Sequence, residues 1–173
     1  CFEKVRILQP QDPAPWNNIG TLLKMQNDIA SAIGYYEKAL EIDPRHFDSL
    51  KNLSFCLGDL KKTEDAIGYL QRALAVRPEN FELHNHLGSL LSKLNKIEEA
   101  EKAYKRALEI KPDYNVALNN LGNMHYGRQE YDKAIELYES AIAFNPTYGD
   151  AHNNLANVLK DTGFLDEAIY HYK

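Results

Sequence analysis

The sequence predicts an all-α protein, an α-solenoid of antiparallel helix pairs. Three observations predict it. Pro10, Pro44, Pro78, Pro112 and Pro146 stand 34 residues apart. Small residues and rings recur in the same phase. Within each period the apolar residues mark two helical faces separated by a short polar turn.

In segment 13–46, Trp16, Ile19, Gly20 and Leu23 fall at helical spacing, which predicts the first helix. Ala32, Tyr36, Ala39 and Leu40 mark the second in the same way. The first-helix small position recurs as Gly20, Ser54, Gly88, Gly122 and Ala156, where two helices are expected to cross closely. The second helix repeats Ala32, Ala66, Ala100, Ala134 and Ala168, with a large residue at Phe2, Tyr36, Leu70, Tyr104, Tyr138 and Tyr172. Proline ends it, since a proline lacks an N–H and clashes with the preceding turn. The turn between the two helices carries Asn27, Lys61, Asn95, Gln129 and Gly163 where a left-handed residue is expected, and Lys61 and Gln129 suit it least.

One helix pair cannot bury its apolar face alone, so neighbouring pairs must stack into a continuous core. The expected organisation is a single array. It has a partial repeat over 1–12, repeats over 13–46, 47–80, 81–114 and 115–148, and a truncated repeat over 149–173. The chain opens and closes inside second helices, which suggests a piece of a longer array. Apolar residues at the two ends, Phe2, Leu8, Tyr170 and Tyr172, suggest weak end-to-end self-association.

The 34-residue period, with Trp16, Ile19-Gly20, Ala32, Tyr36, Ala39-Leu40 and Pro44 in order, resembles the tetratricopeptide repeat. The resemblance implies a right-handed superhelix whose first helices line a concave groove. It also implies a protein-interaction scaffold rather than an enzyme. Three first-helix columns are not needed for packing. One holds Asn18, Asn52, His86, Asn120 and Asn154, and the column before it Asn17, Lys51, Asn85, Asn119 and Asn153. The third, three residues after the first, holds Thr21, Phe55, Ser89, Asn123 and Asn157. Asparagine fills ten of these fifteen places, although the chain has only fifteen asparagines.

That concentration works against helix propensity, at roughly 0.5 kcal/mol per site relative to Ala. An amide carries both a donor and an acceptor, so a row of them could pair with the backbone of an extended peptide. The row is similar to the asparagine ladder of the O-linked N-acetylglucosamine transferase repeat domain. That resemblance implies substrate-backbone binding at Asn18, Asn52, Asn120 and Asn154, with His86 departing from it. The other reading is that the amides bond between neighbouring helices. On the ladder reading, replacing the four asparagines with Ala should leave the fold intact and favour the helices.

Other classes find little support. A carboxylate clamp of the chaperone-adaptor kind would need Asn where Phe55 stands, and Lys and Arg where Val116 and Asn120 stand. No nucleotide-binding or hydrolase motif occurs, and no catalytic, metal or cofactor site is expected. A net charge of −5 with interspersed Lys and Arg argues against nucleic acid. No apolar run is long enough to insert in a membrane. Two cysteines leave the compartment open, with the cytoplasm favoured. The expected partner is a protein or peptide. The alternatives are the substrate-recognition arm of a larger O-glycosyltransferase and a structural subunit of an assembly.

Overall fold

The computed structural model describes residues 11–172, all helix and turn. The partial repeat over 1–10, with Phe2 and Leu8, lies outside the described residues. Two compact units divide at Glu79 and Asn80. In the first unit, α1 (Ala14–Met25), α2 (Ile29–Ile42), α3 (Phe47–Asp59) and α4 (Thr63–Val76) follow one another. The second holds α5 (Phe81–Lys93), α6 (Ile97–Ile110), α7 (Asn115–Gly127), α8 (Tyr131–Phe144), α9 (Gly149–Asp161) and α10 (Leu165–His171).

Each helix packs on the next within its unit, and successive first helices also touch: α1 with α3, α5 with α7, and α7 with α9. That last set of contacts brings the asparagine columns together.

The second helices end two residues before their prolines, at Ile42, Val76, Ile110 and Phe144. The intervening Asp43, Arg77, Lys111 and Asn145 take φ between −130° and −139° with ψ between 85° and 99°. A proline ring excludes the α conformation from the residue before it, so the helix stops one residue earlier than the clash alone would require. The hairpin turns are left-handed at Asn27, Lys61, Asn95 and Gln129, with φ of 63°, 59°, 58° and 60°, and at Gly163 with φ of 92°. Each is closed by an amide reaching back five residues, such as Asp28 N–H to Leu23 C=O at 2.9 Å and Lys62 N–H to Leu57 C=O at 2.9 Å. Lys61 and Gln129 are exposed residues with a Cβ in a region that costs L-residues roughly 1–2 kcal/mol. Lys61→Gly and Gln129→Gly should each raise stability by about 0.5–1 kcal/mol, the remainder going to the greater freedom of glycine in the unfolded chain. Urea denaturation measures it.

Close packing of the hairpins depends on the glycine column. A Cβ on Gly20, Gly88 or Gly122 would lie 2.7, 2.6 or 2.6 Å from a ring carbon of Tyr36, Tyr104 or Tyr138. In the second hairpin the ring is replaced by Leu70, and there Ser54 stands in place of glycine, fully buried, its hydroxyl donating to Lys51 C=O at 2.7 Å. In the first four hairpins small residue and ring therefore vary together; the last sets Ala156 against Tyr172, which is 48% exposed.

At the last hairpin, His152 and His171 share a hydrogen bond between their Nδ1 atoms at 3.0 Å, and His152 Nε2 lies 3.0 Å from Pro146 C=O. Burial first, then the neighbouring His152, holds His171 below its ordinary value, while Glu139 and Glu167 oppose this. The folded state thus favours the neutral ring. Its contribution is complete above the unfolded value of about 6.5 and is lost as pH falls below it. Relative to the intrinsic exchange rate at each pH, the protection of α10 amides should fall between about pH 7 and pH 5 more steeply than that of α7 amides, since α7 lacks this pair.

Candidate functional site

The two adjacent asparagine columns separate in depth. Asn17, Asn85 and Asn119 are buried, 4–9% exposed. Asn52, Asn120 and Asn154 are half-buried, and Asn18 is exposed. One helical step turns a side chain by about 100°, which carries the first set under the neighbouring first helix and leaves the second at its rim.

The two sets are hydrogen-bonded to one another across repeats. Asn52 Nδ2 donates to Asn17 Oδ1 at 3.1 Å, and Ser49 Oγ donates to the same oxygen at 3.3 Å. In the second unit Asn120 Nδ2 donates to Asn85 Oδ1 at 2.9 Å, and Asn154 Nδ2 to Asn119 Oδ1 at 2.9 Å. Asn52, Asn120 and Asn154 thereby each satisfy a buried acceptor on the preceding first helix, whereas Asn18 accepts a 3.5 Å bond from Asn17 Nδ2. Bonding between neighbouring helices, the alternative the sequence left open, is thus present. It uses one N–H of Asn52, Asn120 and Asn154 and leaves each amide's oxygen and second N–H directed away from the bond.

For Asn52, Asn120 and Asn154 these bonds add a cost of alanine substitution that helix propensity alone leaves out. Truncating the donor strands a buried oxygen, which costs roughly 1–3 kcal/mol and exceeds the propensity gain.

The third column serves the rings. Tyr138 donates its hydroxyl to Asn123 Oδ1 at 2.7 Å, Tyr172 to Asn157 Oδ1 at 2.7 Å and Tyr36 to Thr21 Oγ1 at 3.4 Å. Tyr104 is hydrogen-bonded to Ser89, and burial still pushes its phenol up to about 12. Where Leu70 offers no hydroxyl, the column holds Phe55. Of the remaining candidates, Lys51 lies 3.2 Å from Asp48 and over the Phe47 ring at 5.7 Å, His86 is half-buried, and Asn153 is exposed.

The second unit also contains a cleft of about 560 Å³ where α5, α6 and α7 meet. Asn120 and Asn123 face it, together with Ser92, Lys93, Gly127 and Arg128, which the sequence did not single out. Their only signal was that Lys93 and Gly127 stand 34 residues apart, so a long cation on one helix faces a missing side chain on the next. Arg128 Nη1 is held at 2.6 Å by Glu101, whose other oxygen takes Lys105 at 2.7 Å. Hydrogen bonds from Lys105 and Arg128 keep the Glu101 carboxyl down at about 2. No helix among the described residues is long and apolar enough to cross a membrane.

Stacked helical hairpins with a polar, amide-rich face on their first helices define a helical-repeat scaffold of the protein-interaction kind. Sequence comparison gives the family. Tetratricopeptide-repeat profiles match residues 13–46, 81–114 and 35–68, and a further TPR-repeat profile matches 122–163. The chain belongs to the tetratricopeptide-repeat family. Proteins of this fold are generally non-catalytic scaffolds.

Among solved structures, MamA is 28% identical, with a TM-score of 0.79 over 89% of this chain and 90% of that one. YrrB, described as a TPR protein with an unusual peptide-binding site, is 23% identical with a TM-score of 0.79 over 99% and 88%. Pseudomonas aeruginosa pilF is 22% identical with a TM-score of 0.83 over 92% and 73%. The likeness to YrrB and pilF is one of fold. No curated protein sequence matches the chain.

Proposed function

We propose that the first-helix faces bind the backbone of an extended peptide from a partner protein, through the rim amides of Asn18 and Asn52 in one unit and Asn120 and Asn154 in the other. The observation that carries this reading is the fixing of the rim amides. Asn120 and Asn154 are each held by a 2.9 Å bond to a buried oxygen while remaining half-exposed. A side chain already ordered by the fold loses little further entropy on binding, which is the usual obstacle to recognition by flexible polar groups. Its open oxygen and N–H match the N–H and C=O of a main chain whatever the peptide's side chains.

Each such bond contributes on the order of 1 kcal/mol net, and peptide ordering offsets much of it, so micromolar or weaker affinity is expected. The test selects binders from a random twelve-residue peptide library and titrates them by calorimetry against the Asn18→Ala, Asn52→Ala, Asn120→Ala, Asn154→Ala variant at a temperature where its helix signal is intact. Loss of binding to the folded variant supports the reading. Unchanged affinity removes these residues from the site. A smaller second surface has its own support: Leu165, Ile169 and Tyr170 of α10 are 53–75% exposed, consistent with weak self-association that light scattering would detect.

A further inference from the structure

We infer that the cleft between α5, α6 and α7 takes the side-chain carboxylate of an aspartate or glutamate in the bound peptide. The inference rests on the peptide-binding reading and names a side chain that the peptide must carry. Three features of the cleft converge on an anion.

The first is charge. The protein carries a net charge of −5, yet this cleft has no carboxylate in its lining and two cations, Lys93 and Arg128. Arg128 is compensated by Glu101 at 2.6 Å. Lys93 is exposed and makes no ion pair among the described residues, so its ammonium is the charge available to a ligand. The second is donor orientation. The Tyr138 hydroxyl donates to Asn123 Oδ1 at 2.7 Å, which leaves the Asn123 NH2 group as the open end of that amide. Asn120 retains one N–H beyond the bond it donates to Asn85. Ser92 adds a hydroxyl. An ammonium with several N–H and O–H groups suits a carboxylate, which only accepts.

The third is room. Gly127 has neither a positive φ nor any atom within 4 Å of where a Cβ would sit, so neither backbone nor packing requires glycine there. Its missing side chain keeps the cleft open opposite Lys93. The carboxylate would enter beside Asn120, one of the rim amides that would hold the peptide main chain.

The test uses three end-capped decapeptides of Ala and Gly with Glu, Gln or Lys at the centre, titrated into the 15N-labelled protein. Chemical shifts of the asparagine side-chain amides are the readout. The Glu peptide should move the Asn120 and Asn123 signals and bind about fivefold more tightly than the Gln peptide, as one partly exposed charge pair allows. The Lys peptide should bind more weakly than both. Lys93→Gln should abolish the Glu–Gln difference and leave Gln binding unchanged. Gly127→Leu should fill the cleft and block the Glu peptide with no loss of thermal stability. If Glu and Gln peptides bind equally and both depend on Asn120, the backbone reading stands and the carboxylate inference is overturned. If the peptides move only the Asn18 and Asn52 signals, the backbone reading stands and the carboxylate inference is overturned; if they move no rim-amide signal, both fail.

Discussion

Gly122→Ser should destabilise the second unit by about 2–3 kcal/mol, and Tyr138→Leu added to it should restore part of the loss. The new Cβ would sit 2.6 Å from a ring carbon of Tyr138, a side chain with no exposed surface and hence nowhere to move. Overpacking of this kind typically costs 1–3 kcal/mol, and the small helix-propensity gain of serine over glycine does not offset it. Tyr138→Leu alone should cost about 2 kcal/mol through lost buried volume and contacts. The second hairpin already holds the compatible pair, Ser54 with Leu70, both fully buried. The double variant should therefore cost at least about 1 kcal/mol less than the sum of the singles, as expected for residues in contact. A four-member urea-denaturation cycle measures this. Additive losses would mean that ring and glycine are not matched through direct contact.

The rim amides give the second large effect. Asn120→Ala should cost about 1–3 kcal/mol although Asn120 is only half-buried, because the oxygen it satisfies belongs to the buried Asn85. Asn154→Ala should behave alike through Asn119. Asn52→Ala should cost less, since Ser49 Oγ still reaches Asn17 Oδ1 at 3.3 Å. The combined Asn85→Ala, Asn120→Ala variant should lose less than the two single changes added together, because removing both partners strands no acceptor. Equal costs at Asn52, Asn120 and Asn154 would show that generic helix contacts, and not these bonds, set the energies.

Much of the fold could be read from the chain, because its markers act locally. A proline constrains the residue before it, a left-handed turn needs a tolerant residue at one place, and a buried ring needs a small neighbour a fixed distance back. The asparagine columns could be found but not sorted. Asn119 and Asn120 are adjacent, identical and both polar, and only the crossing of α7 with its neighbours decides which is buried. The acceptor role of Asn123 was encoded in a coupling between columns: Thr21, Ser89, Asn123 and Asn157 oppose tyrosines, while Phe55 shares its repeat with Leu70. The Lys93 cleft left almost no trace, because a lysine and a glycine 34 residues apart acquire meaning only when α5 and α7 stand side by side.

The claim that first-helix amides hold a peptide main chain is tested most directly by the side-chain N–H signals of Asn18, Asn52, Asn120 and Asn154. They should be followed in the 15N-labelled protein as a library-selected peptide is added. On this account, signals of the rim amides in at least one unit shift on saturation and their N–H exchange slows, while those of the buried Asn85 and Asn119 shift less. A saturated complex in which all four rim amides keep their free shifts and exchange rates, with the changes elsewhere on the helices, would contradict it.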